Sequence, residues 1–361
     1  MNFNYMKKIL IQIFIAIIIF LFVDFLFGDL FFNSHFKKNV YEQNEKYLYN
    51  FKKNLNVKNY NYGYKNYQLC TNDLGAIDSC DTQNLNINKI DYVFIGDSFV
   101  EGLGVQFKDT FFGLLKERNP DNSFLNLGVS GYSPSIYYSK LKFFYEQGFN
   151  FSEVFVFLDT SDIFDEIYRY KENEKNEITF LLTNDEINNL LDGKKKIIKD
   201  FHTNFPGSFF LLNSIIKLLP SFNYLQNYYL ELMTNHTFGE WVNGENNLYS
   251  KKKINVSLKK NALFVEKMIK LAYENKSKIT FVLYPWPGQI TKGVLENRYN
   301  QYWTDFLDNK NIDYINLNTT FFDKLKKYKS RELIFKYYIL GDVHFNINGH
   351  KLIFEIINNA L

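Results

Sequence analysis

The sequence predicts an α/β protein, namely a three-layer α/β/α sandwich with a parallel sheet, preceded by one N-terminal transmembrane helix. Helical segments are indicated where apolar residues recur at helical spacing, in 258–272 and 352–360, and where Ser133 precedes Pro134. Strands that alternate with helices indicate a parallel sheet covered on both faces. The strands themselves are predicted from short apolar runs at residues 92–95, 124–127, 154–158, 279–284 and 314–317.

Residues 1–28 are predicted to form a membrane anchor. Lys7 and Lys8 precede an apolar run that extends from Ile9 to Val23 and more weakly to Gly28, long enough for the roughly 20 residues of a bilayer span. The basic flank favours the cytoplasmic side and places the rest of the chain in the periplasm or at the cell surface. A cleaved signal peptide is the alternative, but no small-x-small cleavage site is visible, which favours an uncleaved anchor.

Residues 29–88 are predicted to be a polar tether followed by an irregular segment. They contain Cys70 and Cys80, which are the only cysteines of the chain. In an oxidising compartment these two are expected to form a disulfide, and two unpaired thiols are the alternative. Without a matching pair of histidines they make a poor zinc site, and neither a metal nor another cofactor is expected.

Residues 89–361 are predicted to form the main domain, with an insertion at about 166–256 that interrupts the alternation of strands and helices. The insertion contains an apolar segment, 209–219, that is too short to cross a bilayer. It is interpreted as a core or packing helix. The alternative is that it forms a lid over an active site or a helix that touches the membrane.

The composition argues against a nucleic-acid partner. The chain has 361 residues with 42 basic and 39 acidic side chains, a net charge of +3, whereas nucleic-acid binders usually carry a clustered basic excess. The tight basic run at 194–196 is interpreted as a solvated loop. The aromatic content, 19%, accompanies many Asn, Lys and Ile residues and is attributed to the codon bias of an AT-rich genome.

Ser98 is the candidate nucleophile. It follows the first predicted strand of the sheet, within Gly96-Asp97-Ser98, and ligands of parallel sheets bind at the carboxyl ends of strands. A serine at a strand-to-helix turn exposes its hydroxyl, and its backbone N–H can stabilise an oxyanion. The tripeptide alone is a weak signal, since an ordinary helix cap has the same residues.

His344 and Asp342 are the candidate base and acid. Serine needs a base, usually histidine, to take its proton. Asp342 precedes His344 by two residues, and in an extended segment positions two apart face the same way, so the carboxylate can orient the imidazole. His236 lacks an obvious carboxylate arrangement, and His350 is interpreted as structural.

Three motifs together resemble those of the SGNH (GDSL-type) hydrolases, whose sandwich is flavodoxin-like. Gly96-Asp97-Ser98 is similar to the first block, residues 126–133 to the second, and residues 342–350 to the fifth. The resemblance covers roughly 91–166 and 277–361. It implies that Ser98 attacks an ester, that His344 and Asp342 assist, and that the N–H groups of Ser98 and Gly131 hold the oxyanion.

Two departures from the family pattern bear on activity. The third block normally reads Gly-x-Asn-Asp, and its Asn donates to the oxyanion; the corresponding residues here are 159–162, which makes Ser161 the candidate third donor. The usual Asp-x-x-His is here Asp342-Val343-His344. A similar spacing occurs in SGNH-like acyltransferases that modify exported polysaccharides.

Residues near the same rim are candidates for substrate binding. Trp286 and Gln289 follow the fourth predicted strand, and Trp286 is suited to stacking on a sugar ring; a rigid turn with a packing tryptophan is the alternative. Asp162, Asp165 and Glu166 are interpreted as acids at a helix N-terminus, and a carboxylate cluster is the alternative.

The predicted function is that of a serine esterase or O-acyltransferase that acts on O-acetyl groups of a cell-surface polysaccharide. The expected partners are an acylated carbohydrate or other ester substrate, the membrane and, for a transferase, a membrane-bound acyltransferase. A catalytically silent glycan-binding or assembly protein is one alternative. A lipid-directed esterase is another.

Overall fold

The structure is a computed structural model that describes residues 3–28, 40–62, 65–81, 89–175, 177–183, 186–187, 190, 205, 207–208, 211, 223–295 and 297–361. In chain order the strands are β1 (Tyr41–Asn44), β2 (Leu48–Phe51), β3 (Asn56–Tyr62), β4 (Lys65–Cys70), β5 (Ile90–Ile95), β6 (Phe124–Asn126), β7 (Phe151–Leu158), β8 (Tyr170–Glu172), β9 (Ile178–Phe180), β10 (Lys278–Leu283) and β11 (Tyr314–Asn316). The helices are α1 (Phe3–Gly28), α2 (Ser98–Glu101), α3 (Phe111–Arg118), α4 (Pro134–Glu146), α5 (Asp162–Tyr168), α6 (Asn223–Thr234), α7 (Lys251–Glu274), α8 (Pro287–Lys292), α9 (Arg298–Asp308), α10 (Leu317–Leu325), α11 (Ser330–Tyr337) and α12 (Ile347–Asn358).

The central sheet has five strands in the order β11-β10-β7-β5-β6, and every neighbouring pair is parallel. These strands are the five that the apolar runs predicted, and the predicted fold class is confirmed. The chain runs from β5 outward to β6, then returns past β5 to β7 and continues outward in the other direction. The loops that follow β5 and β7 therefore flank the point where the order reverses, which is where parallel sheets bind ligands.

Side chains that alternate along the strands build one apolar core on each face of the sheet. Along β7, Val154 and Val156 belong to one core while Phe155 and Phe157 belong to the other. This alternation follows from the two-residue period of a strand. Helices α4 and α7 cover the first core, and α3 and α12 cover the second.

Two antiparallel hairpins, β1–β2 and β3–β4, occupy much of the range that was predicted to be a tether and irregular segment. Phe51 of β2 is fully buried in the first core, which Tyr47 and Leu69 also join. The buried amino group of Lys140 donates to the Asn50 side chain at 3.0 Å. The aromatic residues that were attributed to codon bias therefore fasten the hairpins to the domain.

Cys70 and Cys80 form a disulfide, with their Cα atoms 5.1 Å apart. The sequence predicted this disulfide, and in the structure it ties the end of β4 to the residues that follow the second hairpin. It closes a small loop next to the main domain.

The N-terminal helix α1 is long and apolar enough to cross a membrane, since an 18-residue window within Lys7–Gly28 has a mean hydropathy of 3.0. A signal sequence has the same length and composition, so this feature establishes an apolar N-terminal helix and not its topology. The helix continues through Asp24, whose carboxylate accepts hydrogen bonds from the backbone of Gly207 and Ser208 at 2.8 and 2.7 Å. Apart from Leu211, the apolar segment 209–219 lies outside the described residues, as does the basic run 194–196.

We predict that Phe51→Ala lowers the free energy of unfolding by about 3–5 kcal/mol, because it leaves a large cavity where β2 meets the core. Phe322→Ala, at a side chain that is 39% exposed on α10, is the matched control and is expected to change little. Urea unfolding of the detergent-solubilised chain measures both. Equal stability of the two variants would contradict the packing of the hairpins onto the domain.

Candidate functional site

Ser98 lies at the first turn of α2, directly after β5. The side chain of Asp97 caps this short helix by accepting from the N–H of Phe99 at 3.0 Å. Gly96 permits the tight turn, because a Cβ atom there would lie 2.5 Å from the side chain of Val100. The turn holds Ser98 at the carboxyl edge of the sheet, where it lines a cavity of about 320 Å³.

His344 links the hydroxyl of Ser98 to the carboxylate of Asp342. The Ser98 Oγ lies 2.8 Å from the His344 Nε2, and the His344 Nδ1 lies 2.5 Å from the Asp342 Oδ1. A carboxylate accepts only, so Nδ1 carries the proton and Nε2 is left as an acceptor for the serine hydroxyl. Ser98 Oγ also lies 3.3 Å from the Asp97 carboxylate, which is the longer of its two contacts.

A turn, and not the extended segment that the sequence predicted, brings Asp342 and His344 together. The N–H of Asp342 donates to the carbonyl of Ile339, and the N–H of Ile339 donates to the carbonyl of His344. Within this turn the Asp342 Oδ1 also accepts from the backbone N–H of His344 at 3.0 Å. The same carboxylate oxygen therefore fixes both the backbone and the ring of His344. Gly341 takes a φ of +79°, which only glycine adopts freely.

Burial is the largest single influence on the His344 imidazole and lowers its pKa, but the adjacent Asp342 carboxylate and other nearby negative charges together raise the pKa of His344 above its ordinary value of 6.5. The negative charges of Asp159 and Glu101 act in the same direction. A raised pKa makes His344 a stronger base and stabilises the imidazolium that forms when Ser98 loses its proton.

Gly131 lines the same cavity as Ser98, in the loop after β6. Its φ is +78°, and a Cβ atom at this position would lie 2.9 Å from the guanidinium of Arg169, so a side chain would be both strained and crowded. The preceding residue, Ser130, is held by Glu101, whose carboxylate accepts from the Ser130 N–H at 2.7 Å and from its hydroxyl at 2.6 Å. Glu101 thus positions the loop that carries Gly131.

Ser161 lines the cavity as well, but its hydroxyl donates to Asp159 at 2.5 Å. The Asp159 carboxylate accepts three further hydrogen bonds, from the Ser161 N–H at 2.7 Å, the Tyr284 hydroxyl at 2.7 Å and the Trp286 indole at 2.8 Å. Four donors on one buried carboxylate join the loop after β7 to the loop after β10.

Trp286 and Gln289 differ in their placement. Trp286 lines the cavity beside His344, while its indole N–H is held by Asp159. Gln289 is 3% exposed and does not line that cavity; its side chain caps α8 by accepting from the Trp286 N–H at 2.5 Å. The sequence prediction for Gln289 rested on its distance from the strand. That distance does not reveal that the side-chain oxygen accepts a hydrogen bond from the backbone at the start of α8.

The acids at the start of α5 form a buried cluster and do not merely cap the helix. Asp162 accepts from the N–H of Asp159 at 2.8 Å, Asp165 pairs with Arg169 at 2.9 Å, and Glu166 pairs with Lys260 at 2.6 Å. Burial, with the negative charge of Asp159, raises the pKa of Asp162 well above its usual range. Among the described residues no group of three or more histidine, cysteine or acidic side chains is arranged to hold a metal ion.

Sequence reasoning missed three residues at the site. Arg169 and His236 line the cavity, and Glu101 positions its wall. Glu101 lies three residues after Ser98, one helical turn away, which is a signal that was available. No spacing ties Arg169 or His236 to Ser98. His350, by contrast, is buried and accepts from the N–H of Phe111 at 3.3 Å, as its structural interpretation predicted.

No protein-family model and no curated protein sequence matches the chain. Among solved structures, it is similar to a lipolytic protein of the G-D-S-L family from Veillonella parvula, with 13% identity, a TM-score of 0.42, and coverage of 75% of this chain and 98% of that one. It is also similar to the acetyl xylan esterase AlAXEase, with 12% identity, a TM-score of 0.42, and coverage of 75% and 100%.

A third similar structure is Axe2, an acetylxylan esterase from Geobacillus stearothermophilus, with 12% identity, a TM-score of 0.40, and coverage of 76% of this chain and 95% of that one. These solved structures include members of the family that the three motifs resemble. At such identities and TM-scores a likeness assigns no activity, so the function is inferred from the geometry of the site.

We predict that Asp159→Asn lowers the free energy of unfolding by about 2–4 kcal/mol, because one carboxylate oxygen becomes an NH₂ group that faces donors. Asp313→Asn is the control, since that side chain is 72% exposed. Urea unfolding measures the difference. An Asp159→Asn variant as stable as the control would show that the carboxylate does not join the two loops.

Proposed function

We propose that the protein is a serine esterase in which Ser98, His344 and Asp342 act as nucleophile, base and acid. The observation that carries the proposal is the unbroken contact from the Ser98 hydroxyl through both nitrogens of His344 to Asp342, with distances of 2.8 and 2.5 Å. Nucleophilic catalysis by serine requires a base within such reach and a group that orients the base.

In the proposed reaction the Ser98 Oγ attacks the carbonyl carbon of the ester as His344 Nε2 takes the hydroxyl proton. Asp342 stabilises the imidazolium that results. The carbonyl oxygen becomes an oxyanion, and the N–H groups of Ser98 and Gly131 are proposed to donate to it. Collapse breaks the ester bond, the alcohol leaves with the proton from His344, and an acyl-Ser98 remains. Water then hydrolyses this acyl-enzyme by the same steps in reverse order.

The third oxyanion donor predicted from the sequence, Ser161, is available only if its hydroxyl turns away from Asp159, to which it donates at 2.5 Å. Since removal of one oxyanion donor lowers the rate about 10²–10³-fold, a site with two donors supports slower turnover than a site with three.

Acyl transfer is the variant of this reaction in which a sugar hydroxyl replaces water. The chemistry of Ser98, His344 and Asp342 is the same for both acceptors, so the choice depends on which acceptor the site binds. A membrane-bound acyltransferase that delivers acyl groups is a partner only in the transfer reaction. The hydrogen-bonded triad favours either reaction over the catalytically silent alternative.

We further propose that α1 is an uncleaved anchor that holds the domain on the outer side of the membrane. The 22-residue segment Lys7–Gly28, in which two lysines precede an apolar stretch, supports a single crossing. The Cys70–Cys80 disulfide supports an oxidising compartment.

We predict that Ser98→Ala lowers kcat/KM for p-nitrophenyl acetate at least about a thousandfold, because the nucleophile is lost while the fold is kept. Ser139→Ala, on α4, is the matched control and is expected to retain the wild-type rate. Release of p-nitrophenolate by the detergent-solubilised chain measures both. The proposed function would be contradicted if Ser98→Ala turned over the ester as fast as the wild type, or if the wild type did not turn it over.

We predict that kcat/KM increases with pH and reaches half its maximum at a pH above 6.5, because His344 must be neutral to accept the proton and its pKa is raised. Asp342→Asn removes the adjacent charge, so its residual activity should reach half-maximum at a lower pH. Profiles of kcat/KM between about pH 5 and 9 measure both. An inflection that stays in place in Asp342→Asn would contradict the role of Asp342.

A further inference from the structure

A second cavity, of about 740 Å³, adjoins the one that contains Ser98. It lies mainly between hairpin β1–β2 and hairpin β8–β9. Ser130 and Arg169 line both cavities, so the two are neighbours across this pair of residues. Ligand pockets commonly span about 300–1,000 Å³, and each cavity is in that range.

Aromatic rings form much of the wall of this second cavity, which is hereafter the aromatic cavity. The rings of Tyr49 and Phe180 are nearly parallel, at an interplanar angle of 12°, with their centroids 6.2 Å apart. Tyr49 is fixed, because its hydroxyl donates to the Ser130 carbonyl at 2.8 Å. Phe180 is 53% exposed and lines the cavity, so a ligand can reach its ring.

Polar side chains stand beside these rings. Gln43, Glu45, Glu177 and Thr179 line the aromatic cavity together with Arg169. A pyranose ring has an apolar C–H face, suited to an aromatic surface, and a rim of hydroxyl groups that hydrogen-bond amides and carboxylates. A fatty acyl chain has no hydrogen-bonding groups and would make no use of these polar side chains.

The position of Arg169 connects the aromatic cavity to the reacting atoms. Its guanidinium pairs with the buried Asp165 at 2.9 Å and lies against Gly131, the proposed oxyanion donor. An ester whose carbonyl oxygen points to Gly131 would therefore lie close to Arg169, which together with Ser130 lines both cavities.

We propose that the aromatic cavity binds the carbohydrate part of the substrate, so that an O-acyl sugar reaches Ser98 with its ring against Phe180. This inference rests on the proposed esterase function and specifies its substrate class. The same cavity would hold the accepting sugar if the acyl group is transferred.

The test compares Phe180→Ala with Phe322→Ala, two variants at exposed phenylalanines in different parts of the molecule. Each variant and the wild type is assayed on acetylated xylo-, cello- and chito-oligosaccharides, on p-nitrophenyl acetate, and on p-nitrophenyl esters of increasing acyl length. Acetate release and p-nitrophenolate release give kcat/KM for every pair of enzyme and substrate.

We expect Phe180→Ala to lower kcat/KM about tenfold for the best oligosaccharide, the effect of losing one aromatic contact, and to lower it by a smaller factor for p-nitrophenyl acetate, which has no sugar hydroxyl groups to hold it in the cavity. Phe322→Ala should leave both unchanged. Equal oligosaccharide turnover in Phe180→Ala and wild type, or no turnover of any oligosaccharide, overturns the inference. A loss confined to long acyl chains overturns it in favour of an acyl-binding groove. Activity of wild type and Ser98→Ala on p-nitrophenyl acetate tests the esterase function separately.

Discussion

The hydrogen bond between Ser98 and His344 joins residues that are 246 positions apart, and the remainder of the site is arranged around it. Strand β5 and the turn at Gly96 determine where Ser98 lies. The turn between α11 and α12 determines where His344 lies. Because α12 packs against α3 on one face of the sheet, the second position is fixed relative to the first by the same core. The contact between Ser98 and His344 therefore depends on the packing of the sandwich.

A cluster of buried acidic side chains lies near this hydrogen bond. Asp97, Asp159, Asp162 and Asp165 are each no more than 3% exposed. Burial is the main reason that the pKa values of Asp97 and Asp162 are raised, and the charge of Asp159 adds to it. Burial likewise raises the pKa of Asp165 to about 7, although Arg169 opposes this. Like charges resist ionising together, which is why the charge of Asp159 adds to the raised pKa values of Asp97 and Asp162. The negative charge of Asp159 also contributes to the raised pKa of His344.

The sequence was sufficient to predict the sheet and to single out Ser98, His344 and Asp342, whose side chains are in contact, because both depend on local signals. Buried parallel strands appear as apolar runs, and Ser98 and His344 belong to short motifs. The meeting of Asp342 and His344 was predicted for a different reason from the one found, because a turn and an extended segment both bring positions two apart together. The hairpins were missed because buried residues such as Tyr47 and Phe51 are aromatic. In a chain with 19% aromatic residues, an aromatic side chain does not stand out as a sign of a buried strand.

Tertiary contacts decide the features that local patterns did not reveal. Arg169 reaches the site because Asp165, one helical turn earlier, holds its guanidinium. Gln289 turns away because its amide completes the start of α8. The hydroxyl of Ser161 is taken by Asp159, which a comparison of motifs cannot show. In each case the side chain has a local partner whose proximity depends on the packing of other elements.

The central claim is that Ser98 attacks the carbonyl carbon of an ester with His344 as the base, while the N–H of Gly131 donates to the carbonyl oxygen. A crystal structure of the protein after reaction with p-nitrophenyl alkylphosphonate tests it most directly, because the phosphonate imitates the tetrahedral intermediate. The account predicts a covalent bond from phosphorus to the Ser98 Oγ, with a phosphoryl oxygen about 3 Å from the backbone nitrogens of Ser98 and Gly131. A phosphonate on another residue, or a phosphoryl oxygen directed away from both nitrogens, would contradict it.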